Sequence, residues 1–397
     1  MSDTKLRVGM VGLGLVSTPH LKGYSTHPRA AVTAVCDLDE ERARDFADEH
    51  GINEVYTSFE RMIEAADIDA VDIATPTFLH GPMTQMAVQA GKHVHCEKPF
   101  CRNVAEGLAA CAAARQHGVI LMVGETYVFL TSHMKARSLI DDGAIGRPLQ
   151  IRQRHGLWLD RPEATVYKGP PDRNWRIDPA RSGGGEYPWI YDHAVHFFAT
   201  AEYLTQDAPI AEIYALAAHN RTTGHVGGAA HDPYAEAEVD IPIITWKYED
   251  PSIQGVWMRA EPLNGKHDFM RGFSTVVIGE TGMIEVLGEG GHNLLWEGKQ
   301  QHLILHREGE APECYRFDEG GDDIWQSDIS YYSKGHIHQV HHFVDSALSG
   351  QQPRYAGEDG LRAVRCTLAA IKSAREDRPI RIADVDATYS ACQEVTA

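Results

Sequence analysis

The stretch LRVGMVGLGLVS, residues 6–17, sets an apolar run directly before two closely spaced glycines and a helical pattern. Gly12 permits a tight turn after the strand, and Gly14 lets the backbone approach a pyrophosphate at the helix N-terminus. The small residue Ser17 stands where a third glycine is usual, and it still allows the helix to pack on the strand. The stretch therefore predicts a strand, a phosphate-binding turn and a helix.

The end of the next apolar run strengthens this interpretation. Asp37 closes that run, 23 residues after Gly14. A carboxylate at about this interval accepts hydrogen bonds from ribose hydroxyls and repels a 2′-phosphate, so the pattern favours NAD over NADP. The alternative is a plain glycine turn, with Asp37 serving only to cap a helix that starts near Asp39.

The surrounding sequence repeats the same alternation. Helical patterns at 39–49, 79–90 and 103–117 separate apolar runs that lack a polar face. Such runs are typical of a doubly wound parallel sheet covered on both sides. We therefore predict an α/β NAD-binding domain over residues 1–125. Its apolar runs lie at 6–12, 31–37, 70–75, 93–98 and 119–124.

The pattern changes in the second half of the chain. Residues 149–159 alternate like a half-buried strand, and several extended runs follow one another between 210 and 305. Two helical segments, 336–348 and 357–375, close this region. We predict an α+β domain over 126–375 for substrate binding and oligomerisation, with a large open, mostly antiparallel sheet. Residues 376–397 are predicted to form a strand and tail that pack back on the N-terminal domain.

One segment of the second half does not fit a plain connection. The glycine- and proline-rich stretch 162–188 is long for a loop between two elements, which indicates a functional loop.

Composition excludes several classes of protein. The 397 residues carry 37 basic and 56 acidic side chains, a formal net charge of −19, which argues against a nucleic-acid groove or an anionic membrane as partner. No apolar run approaches the roughly 20 residues of a membrane helix, and residues 1–5 do not resemble a signal peptide. Seven cysteines without CxxC spacing indicate neither a disulfide framework nor a zinc ribbon. We expect a cytoplasmic protein.

Two motifs indicate chemistry beyond nucleotide binding. The first is CEKP at 96–99, at the carboxyl end of a predicted parallel strand, where open α/β sheets bind ligands. Lys98 is expected to point into that cleft, and Pro99 to fix the turn. The alternative is a solvated surface lysine.

The second motif is SGGGEYPWIYDHAVH at 182–196. Asp192 and His196 are four residues apart, so on a helix they share one face and can reach one pocket. A histidine beside a carboxylate is a plausible general base for an alcohol, and the carboxylate, here Asp192, would orient the ring or hold a substrate hydroxyl. The chain has 22 histidines, however, so the pair could also be an ordinary helix contact.

Together these motifs resemble the Gfo/Idh/MocA oxidoreductases. The resemblance rests on VGLGLVS, CD at 36–37, TPTFLH at 75–80, CEKP, and WRxDPxxSGGGx₆DxxxH at 175–196, and it extends to GEDGLRAxR at 357–365. It covers nearly the whole chain. It implies an N-terminal Rossmann domain and a C-terminal α+β domain whose open sheet often forms subunit interfaces. We accordingly expect a homodimer or homotetramer.

The resemblance also implies site residues. The catalytic group would be Lys98, Asp192 and His196, with Glu97 and Lys98 close to the nicotinamide. Residues expected around the cofactor are Gly12, Leu13, Gly14, Leu15, Val16, Asp37, Thr75, Pro76, His80, Glu97, Lys98 and Glu125. Residues expected around the substrate are Lys98, Trp158, Trp175, Arg176, Asp192, His193 and His196.

Three positions depart from the family pattern. Ala199 replaces an aspartate that many relatives carry three residues after the histidine. His193 replaces a small residue, and Glu125 lies in a segment where many relatives have an amide. Further aromatic and basic side chains that could line the pocket or serve only in packing and salt bridges are Tyr167, Trp189, Arg152, Arg154 and Arg173.

The leading hypothesis is reversible hydride transfer between NAD and a secondary alcohol of a sugar, sugar derivative or cyclitol. A second hypothesis is an enzyme that retains NAD and cleaves a glycosidic bond by oxidation, elimination and re-reduction. A dinucleotide-sensing regulator without chemistry is the weakest alternative. No compact metal-ligand signature is present, so we predict no metal. A metal-assisted dehydrogenase remains open, with candidate ligands His155, Asp192, His193, His196, His336 and His338.

Overall fold

The computed structural model describes residues 5–155, 175, 178–221, 238–259, 274–287, 301–317, 331–387, 389 and 391. Strands and helices alternate through the first 141 residues. The elements are β1 (Leu6–Val11), α1 (Ser17–Thr26), β2 (Ala30–Cys36), α2 (Glu40–His50), β3 (Glu54–Tyr56), α3 (Phe59–Ala65), β4 (Ala70–Ile73), α4 (Thr77–Gln89), β5 (His93–Glu97), α5 (Val104–His117), β6 (Leu121–Gly124), a 3₁₀ turn (Thr126–Phe129) and α6 (Thr131–Asp141).

Strands β1 to β6 form one parallel sheet in the order β3-β2-β1-β4-β5-β6. This order confirms the predicted doubly wound α/β fold. Strands β4 and β6 are buried along their whole described length, as expected for strands covered on both faces, and Asp72 in β4 is the one charged residue among them. The carboxyl ends of β1, β2, β4, β5 and β6 therefore lie along one edge of the sheet.

Local sequence signals set the ends of the helices. Helix α5 begins where the Asn103 side chain accepts a hydrogen bond from the Glu106 N–H, and it ends at Gly118 in the left-handed region. Helix α2 begins in the same way at Asp39 and ends at Gly51. Side-chain oxygens at the start and glycine just past the end satisfy backbone groups that the helix leaves open.

The second half is built on a larger sheet. Its elements are β7 (Pro148–His155), α7 (Pro179–Ser182), α8 (Pro188–Leu204), β8 (Ile210–Arg221), β9 (Glu238–Tyr248), β10 (Gln254–Arg259), β11 (Ser274–Gly279), β12 (Gly282–Leu287), β13 (Gln301–Arg307), β14 (Glu313–Phe317), α9 (Tyr331–Ser349), α10 (Gly357–Glu376), β15 (Ile380–Arg381) and a 3₁₀ turn (Ile382–Asp384).

In the described ranges this sheet has the order β14-β13-β12-β11-β7-β10-β9-β8-β15. Among the described strands, only the β7–β10 pairing is parallel, and the other pairings are antiparallel. The predicted large and mostly antiparallel sheet is confirmed. The terminal strand differs from expectation, because β15 pairs with β8 of this sheet rather than with the N-terminal domain. The open edge of β8 offers the backbone partners that a short strand needs.

Helix α9 joins the two halves by packing on α1 of the parallel sheet. Gly23 makes this approach possible, since a Cβ at that position would lie 2.7 Å from the Cβ of Val340. Helix α8 runs beside α10, and buried residues occupy all its faces, including Asp192 and His196. The second half thereby brings α8 to the carboxyl edge of the first sheet.

Two smaller findings concern predictions from composition. Within the described part of the chain, no helix has both the length and the apolar character needed to cross a membrane. The described cysteines are free thiols, five of them buried and Cys314 exposed.

Candidate active site

The turn after β1 leaves room for a phosphate. Gly12 has φ = +86°, and a Cβ there would lie 2.6 Å from the carbonyl oxygen of Ala74, so only glycine fits. A Cβ at Gly14 would meet nothing within 4 Å. Helix α1 begins after Val16, which provides no side-chain cap for the first amide groups. Open space before uncapped N–H groups is the environment in which an anionic phosphate binds.

Asp37 connects this turn with the end of β2. Its Oδ2 accepts a hydrogen bond from the Leu13 N–H (2.9 Å), and its Oδ1 accepts one from the Asp39 N–H (3.0 Å). The Nη1 of Arg42 lies 3.4 Å from both carboxylate oxygens. The N-cap of α2 is Asp39, so Asp37 is not merely the cap that the alternative interpretation proposed.

The loops after β4 and β5 are tied together by His80. Its Nδ1 lies 2.7 Å from the carbonyl oxygen of Pro99, and its Nε2 lies 2.7 Å from that of Thr75. Burial lowers the pKa of His80. Pro76 precedes the first turn of α4, and the Lys98–Pro99 peptide bond is cis. These loops place Thr75 and Lys98 along the same sheet edge as the glycine turn.

Lys98 and Asp192 meet at this edge. The Nζ of Lys98 donates to the Oδ1 of Asp192 (3.2 Å) and to its carbonyl oxygen (3.1 Å). Both side chains are only slightly exposed, at 13% and 12%. A lysine from the first half of the chain thus contacts a carboxylate 94 residues later, on α8.

His196 lies one turn further along α8, and its ring is held by Glu125. The Nδ1 of His196 is 2.5 Å from the Oε1 of Glu125, and both residues are buried. The ring stacks on Tyr127 with centroids 4.3 Å apart and an interplanar angle of 15°. Sequence reasoning gave the orienting role to Asp192 and placed Glu125 beside the cofactor, whereas the carboxylate that bonds His196 here is Glu125.

A wall of aromatic and basic side chains lies beside Asp192. The ring of His193 stacks on Trp189 (5.6 Å) and meets His155 edge to face (4.9 Å), while the guanidinium of Arg259 lies 5.3 Å from the Trp189 ring centroid. Burial, together with the positive charge of Arg259, keeps the pKa of His193 well below its usual range. His193 is therefore a neutral imidazole near neutral pH.

Several other predicted residues lie elsewhere or outside the described residues. Ala199 is buried in α8, and His338 bonds the carbonyl oxygen of Phe129. Arg152 is exposed and bonds Gln150, and Trp175 is half-buried. The predicted side chains that fall outside the described residues are Trp158, Tyr167, Arg173 and Arg176.

Sequence reasoning missed that Glu97 belongs to a group of buried polar residues around His20. We call it the buried histidine cluster and define it as His20, Tyr24, Asp72, His95, Glu97 and His336. One signal in the sequence could have revealed it. Asp72 lies in the middle of a strand that is otherwise apolar, and a buried carboxylate requires partners.

The same cluster bears on the question of a metal. Among the described residues, groups of three close ligand atoms occur as His20, Asp72 and His95, and as His20, Glu97 and His336. Of the ligands considered from the sequence, only His336 belongs to either group. The metal-assisted alternative therefore gains no support from the other described candidates.

Comparison with known proteins adds independent information. The model of an oxidoreductase family with an NAD-binding Rossmann fold matches residues 6–125, and the model of the GFO/IDH/MocA C-terminal domain matches residues 133–285. A D-apiose dehydrogenase of Paraburkholderia graminis is 34% identical over 395 residues, which cover 98% of this chain and 92% of the relative.

Two further similarities extend over almost the whole chain. A 1,5-anhydro-D-fructose reductase of Ensifer adhaerens is 28% identical, with 93% of this chain and 96% of the relative covered. The structure of a levoglucosan dehydrogenase in complex with NADH and levoglucosan superimposes with a TM-score of 0.75 at 21% identity, and covers 96% of this chain and 100% of that chain. This structural similarity supports the fold.

Proposed function

The chain belongs to the Gfo/Idh/MocA family of NAD-binding oxidoreductases acting on CH–OH groups, and from this premise we propose the site and substrate class of its reaction. The proposed reaction is reversible hydride transfer between NAD and a secondary alcohol of a sugar, sugar derivative or cyclitol. The observation that carries the proposal is the contact of Lys98 with Asp192, one helical turn from His196.

The residues at the sheet edge fit the cofactor. The open space at Gly14 and the uncapped start of α1 suit a pyrophosphate, and Asp37 suits the ribose hydroxyls. When bound, NAD accepts the hydride from the carbinol carbon in the oxidative direction. We propose that the residues expected around the cofactor from the sequence hold NAD at this edge. Glu125 is the exception, because its side chain contacts His196.

We propose that NAD is preferred over NADP because of Asp37. Asp37→Asn keeps an oxygen that can accept from the Leu13 N–H but removes the charge, while Arg42 remains 3.4 Å away. Hydrogen bonds to charged groups contribute about 1.5–3 kcal/mol, and about 1.4 kcal/mol corresponds to a factor of ten. The ratio of kcat/KM for NADP to that for NAD should therefore rise about tenfold or more.

The matched control for this substitution is Asp39→Asn, which alters a carboxylate two residues away that caps α2. It should leave the cofactor ratio unchanged. An unchanged ratio in Asp37→Asn, measured with both cofactors under the same conditions, would contradict the proposed basis of the preference.

His196 is proposed as the group that takes the hydroxyl proton. Its Nδ1 faces Glu125, which leaves Nε2 to accept the proton from the substrate alcohol. The carboxylate holds the ring in one orientation and stabilises the imidazolium formed by the transfer. Stacking on Tyr127 restricts the ring further.

Lys98 is proposed to stabilise the developing alkoxide. Its ammonium is held at the mouth of the site by Asp192 and can donate to the substrate oxygen as the proton leaves. Asp192 also offers acceptor oxygens for a neighbouring hydroxyl. The three side chains thus divide proton removal, charge stabilisation and orientation between them.

The wall beside Asp192 supports a ring-shaped polyol as the substrate. Trp189 offers an apolar face, and the neutral His193 can both donate and accept hydrogen bonds. Trp158, Trp175 and Arg176 remain proposed members of this pocket. D-apiose and 1,5-anhydro-D-fructose, after which the two relatives are named, belong to the same chemical class.

A screen for NAD reduction tests the proposed function. Monosaccharides, glycosides, anhydrosugars, inositols and sugar acids are each incubated with the enzyme and NAD, and the corresponding ketones with NADH. We expect stoichiometric NADH formation with one of these classes. Product formation without accumulating NADH would favour glycoside cleavage with retained NAD, and no turnover in either direction would contradict the proposal.

We also propose that the chain forms a homodimer or homotetramer through the outer face of the larger sheet. Leu216, Ile243 and Met258 lie opposite one another on β8, β9 and β10, and each is at least 40% exposed. A contiguous apolar row on an open sheet is typical of a subunit interface. Light scattering should give a mass of two or four subunits, and a single-subunit mass would contradict this.

A further inference from the structure

The buried histidine cluster is organised around the ring of His20, which has a carboxylate on each side. Its Nδ1 lies 3.0 Å and 3.1 Å from the two oxygens of Asp72, and its Nε2 lies 3.2 Å from the Oε1 of Glu97. A neutral imidazole carries a proton on only one nitrogen, whereas an imidazolium donates from both. These distances fit an imidazolium between two carboxylates, with the Nδ1 of His336 (3.2 Å) and the Nε2 of Gln339 (3.5 Å) also beside its Nε2.

From this arrangement we infer that His20 is a positioning residue for the reaction proposed above. Asp72 holds the protonated ring of His20 by hydrogen bonds. The ring in turn pairs with the Glu97 carboxylate, which fixes the peptide group that carries Lys98. The inference rests on the proposed role of Lys98, and it assigns to helix α1 a part in the chemistry besides the phosphate-binding turn.

The link from His20 to Lys98 consists of two consecutive bonds. Glu97 accepts the bond from His20 on Oε1, and its Oε2 accepts a hydrogen bond from the backbone N–H of Lys98 (3.2 Å). The orientation of the Glu97 carboxylate thus determines where the Lys98 peptide lies. The Lys98 side chain starts from that peptide and must reach Asp192 at 3.2 Å.

The surroundings hold Glu97 in one place. A Cβ at Gly124 would lie 2.7 Å from the Oε1 of Glu97 and 2.9 Å from the Nε2 of Gln339, so the side chains fill this space. On α9, Gln339 Nε2 lies 3.5 Å from the Oε1 of Glu97, and His336 Nδ1 lies 3.2 Å from the Nε2 of His20. Helix α9, from the second half of the chain, therefore covers the side of the cluster that faces Glu97 and His20.

Asp72 is held equally firmly on the other side of His20. It accepts hydrogen bonds from the hydroxyl of Tyr24 (2.7 Å) and from the Nδ1 of His95 (2.9 Å), whose strand position is directly opposite in register. All three residues are buried. A buried carboxylate with this many donors stays ionised and fixes the ring that it faces.

Charge balance supports the protonated ring. Without a cation between them, Asp72 and Glu97 would be two uncompensated buried charges, which strongly destabilise a folded protein. Burial alone would lower the pKa of His20, but the two carboxylates outweigh it and raise the pKa to about 10. Burial likewise opposes the charge on Glu97, but the bond and charge of His20 and the charge of Lys98 lower its pKa to about 2.

The first test is a spectroscopic measurement on the wild-type protein. Histidines labelled with ¹⁵N are observed by NMR in the NAD-bound protein at about pH 8.5, about two units above the ordinary histidine pKa. We expect one ring to retain protons on both nitrogens, and its signals to disappear in His20→Gln. If every ring is singly protonated, or if the doubly protonated ring survives the substitution, the inference is wrong.

The second test is kinetic and uses His20→Gln and His20→Leu. Glutamine can still donate to Glu97 but carries no charge, and leucine does neither. We expect kcat to fall about 10²-fold in His20→Leu, since misplacing a reacting group by about 1 Å costs about that much. The fall should be smaller in His20→Gln, with the KM for NAD near the wild-type value in both.

The pH profile separates positioning from loss of structure. The groups that face Glu97 are His20 from α1, His336 from α9 and Lys98 beside it, with Asp72 and His95 behind His20. Without the imidazolium, burial raises the pKa of Glu97, so this carboxylate becomes protonated as the pH falls. From about pH 8 to about pH 5, kcat should therefore decline in the variants more steeply than in the wild type. A uniform decrease at every pH would overturn the inference.

A control and two further outcomes complete the design. His27→Gln alters another buried histidine of the α1–α9 interface, which packs on His341, and it should leave kcat and its pH profile unchanged. The metal content of protein purified without chelator is also measured. A stoichiometric metal ion that is absent from His336→Leu would mean that a metal, and not a proton, sits between the carboxylates, and it would overturn the inference. If the His20 variants keep the wild-type kcat while Lys98→Met is inactive, this inference alone is overturned. If Lys98→Met is active, the proposed function is overturned.

Discussion

Replacing Lys98 with methionine should lower kcat about 10²–10⁴-fold, the range that one acid–base or charge-stabilising group usually contributes. Methionine keeps most of the unbranched side-chain volume but cannot stabilise a negative oxygen or donate to Asp192. The glycine turn and Asp37 are unchanged, so the dissociation constant of NAD, measured by fluorescence quenching or calorimetry, should stay close to the wild-type value.

Lys92→Met is the matched control for this experiment. Lys92 lies just before the other end of β5, where its Nζ bonds the carbonyl oxygen of Ile68, away from the carboxyl edge of the sheet. This variant should keep full turnover. Retention of turnover in Lys98→Met, with the best substrate from the screen, would remove the central element of the proposed mechanism.

Glu125→Gln should lower kcat by a similar factor, about 10²–10⁴. An amide in place of this carboxylate can still contact His196 Nδ1, but it carries no charge to stabilise the imidazolium. It can also present its NH₂ group to the ring and reverse which nitrogen is protonated. Steady-state kinetics in the oxidative direction, with the unfolding midpoint measured in parallel, check the prediction.

Glu202→Gln separates this effect from the general loss of a buried carboxylate. Glu202 is also buried and belongs to α8, but it bonds Arg362 and the Ile210 N–H rather than His196. It should change stability without lowering kcat to the same extent. Equal losses of kcat in the two variants would mean that Glu125 acts through stability alone.

Much of the architecture could be predicted because it depends on local pattern. Apolar runs without a polar face gave the parallel strands, and the alternating runs gave the antiparallel sheet. Two general rules placed Lys98 at the carboxyl edge of the sheet and Asp192 with His196 on one helix face, and the family resemblance implied that these groups meet. The roles assigned to these residues stay predictions until they are tested.

The pairing of Glu125 with His196 could not be predicted in the same way. The two residues are 71 positions apart, and their contact depends on how α8 crosses the end of β6. No spacing rule relates a residue that follows a strand, such as Glu125, to a residue on a helix of the other half of the chain, such as His196. Asp192 was the nearer carboxylate in sequence, and helix periodicity alone favoured it.

The buried histidine cluster and the last strand were missed for a related reason. His20 and His336 meet although 316 residues separate them, so no spacing in the sequence relates one to the other. The strand Ile380–Arg381 was expected from its sequence, but its partner is chosen by whichever sheet edge lies open nearby. Long-range pairings of this kind depend on tertiary packing that a single sequence does not display.

The close approach of α1 and α9 at Gly23 has a consequence for protein engineering. The nucleotide-binding half ends in sequence near residue 125, yet a helix from the far end of the chain completes its core. Residues 1–125 produced alone would expose that apolar surface and the polar groups beneath it, and would aggregate rather than bind cofactor. A chimera with a related enzyme should therefore exchange α9 together with the first half, so that Val340 and Gly23 remain a matched pair.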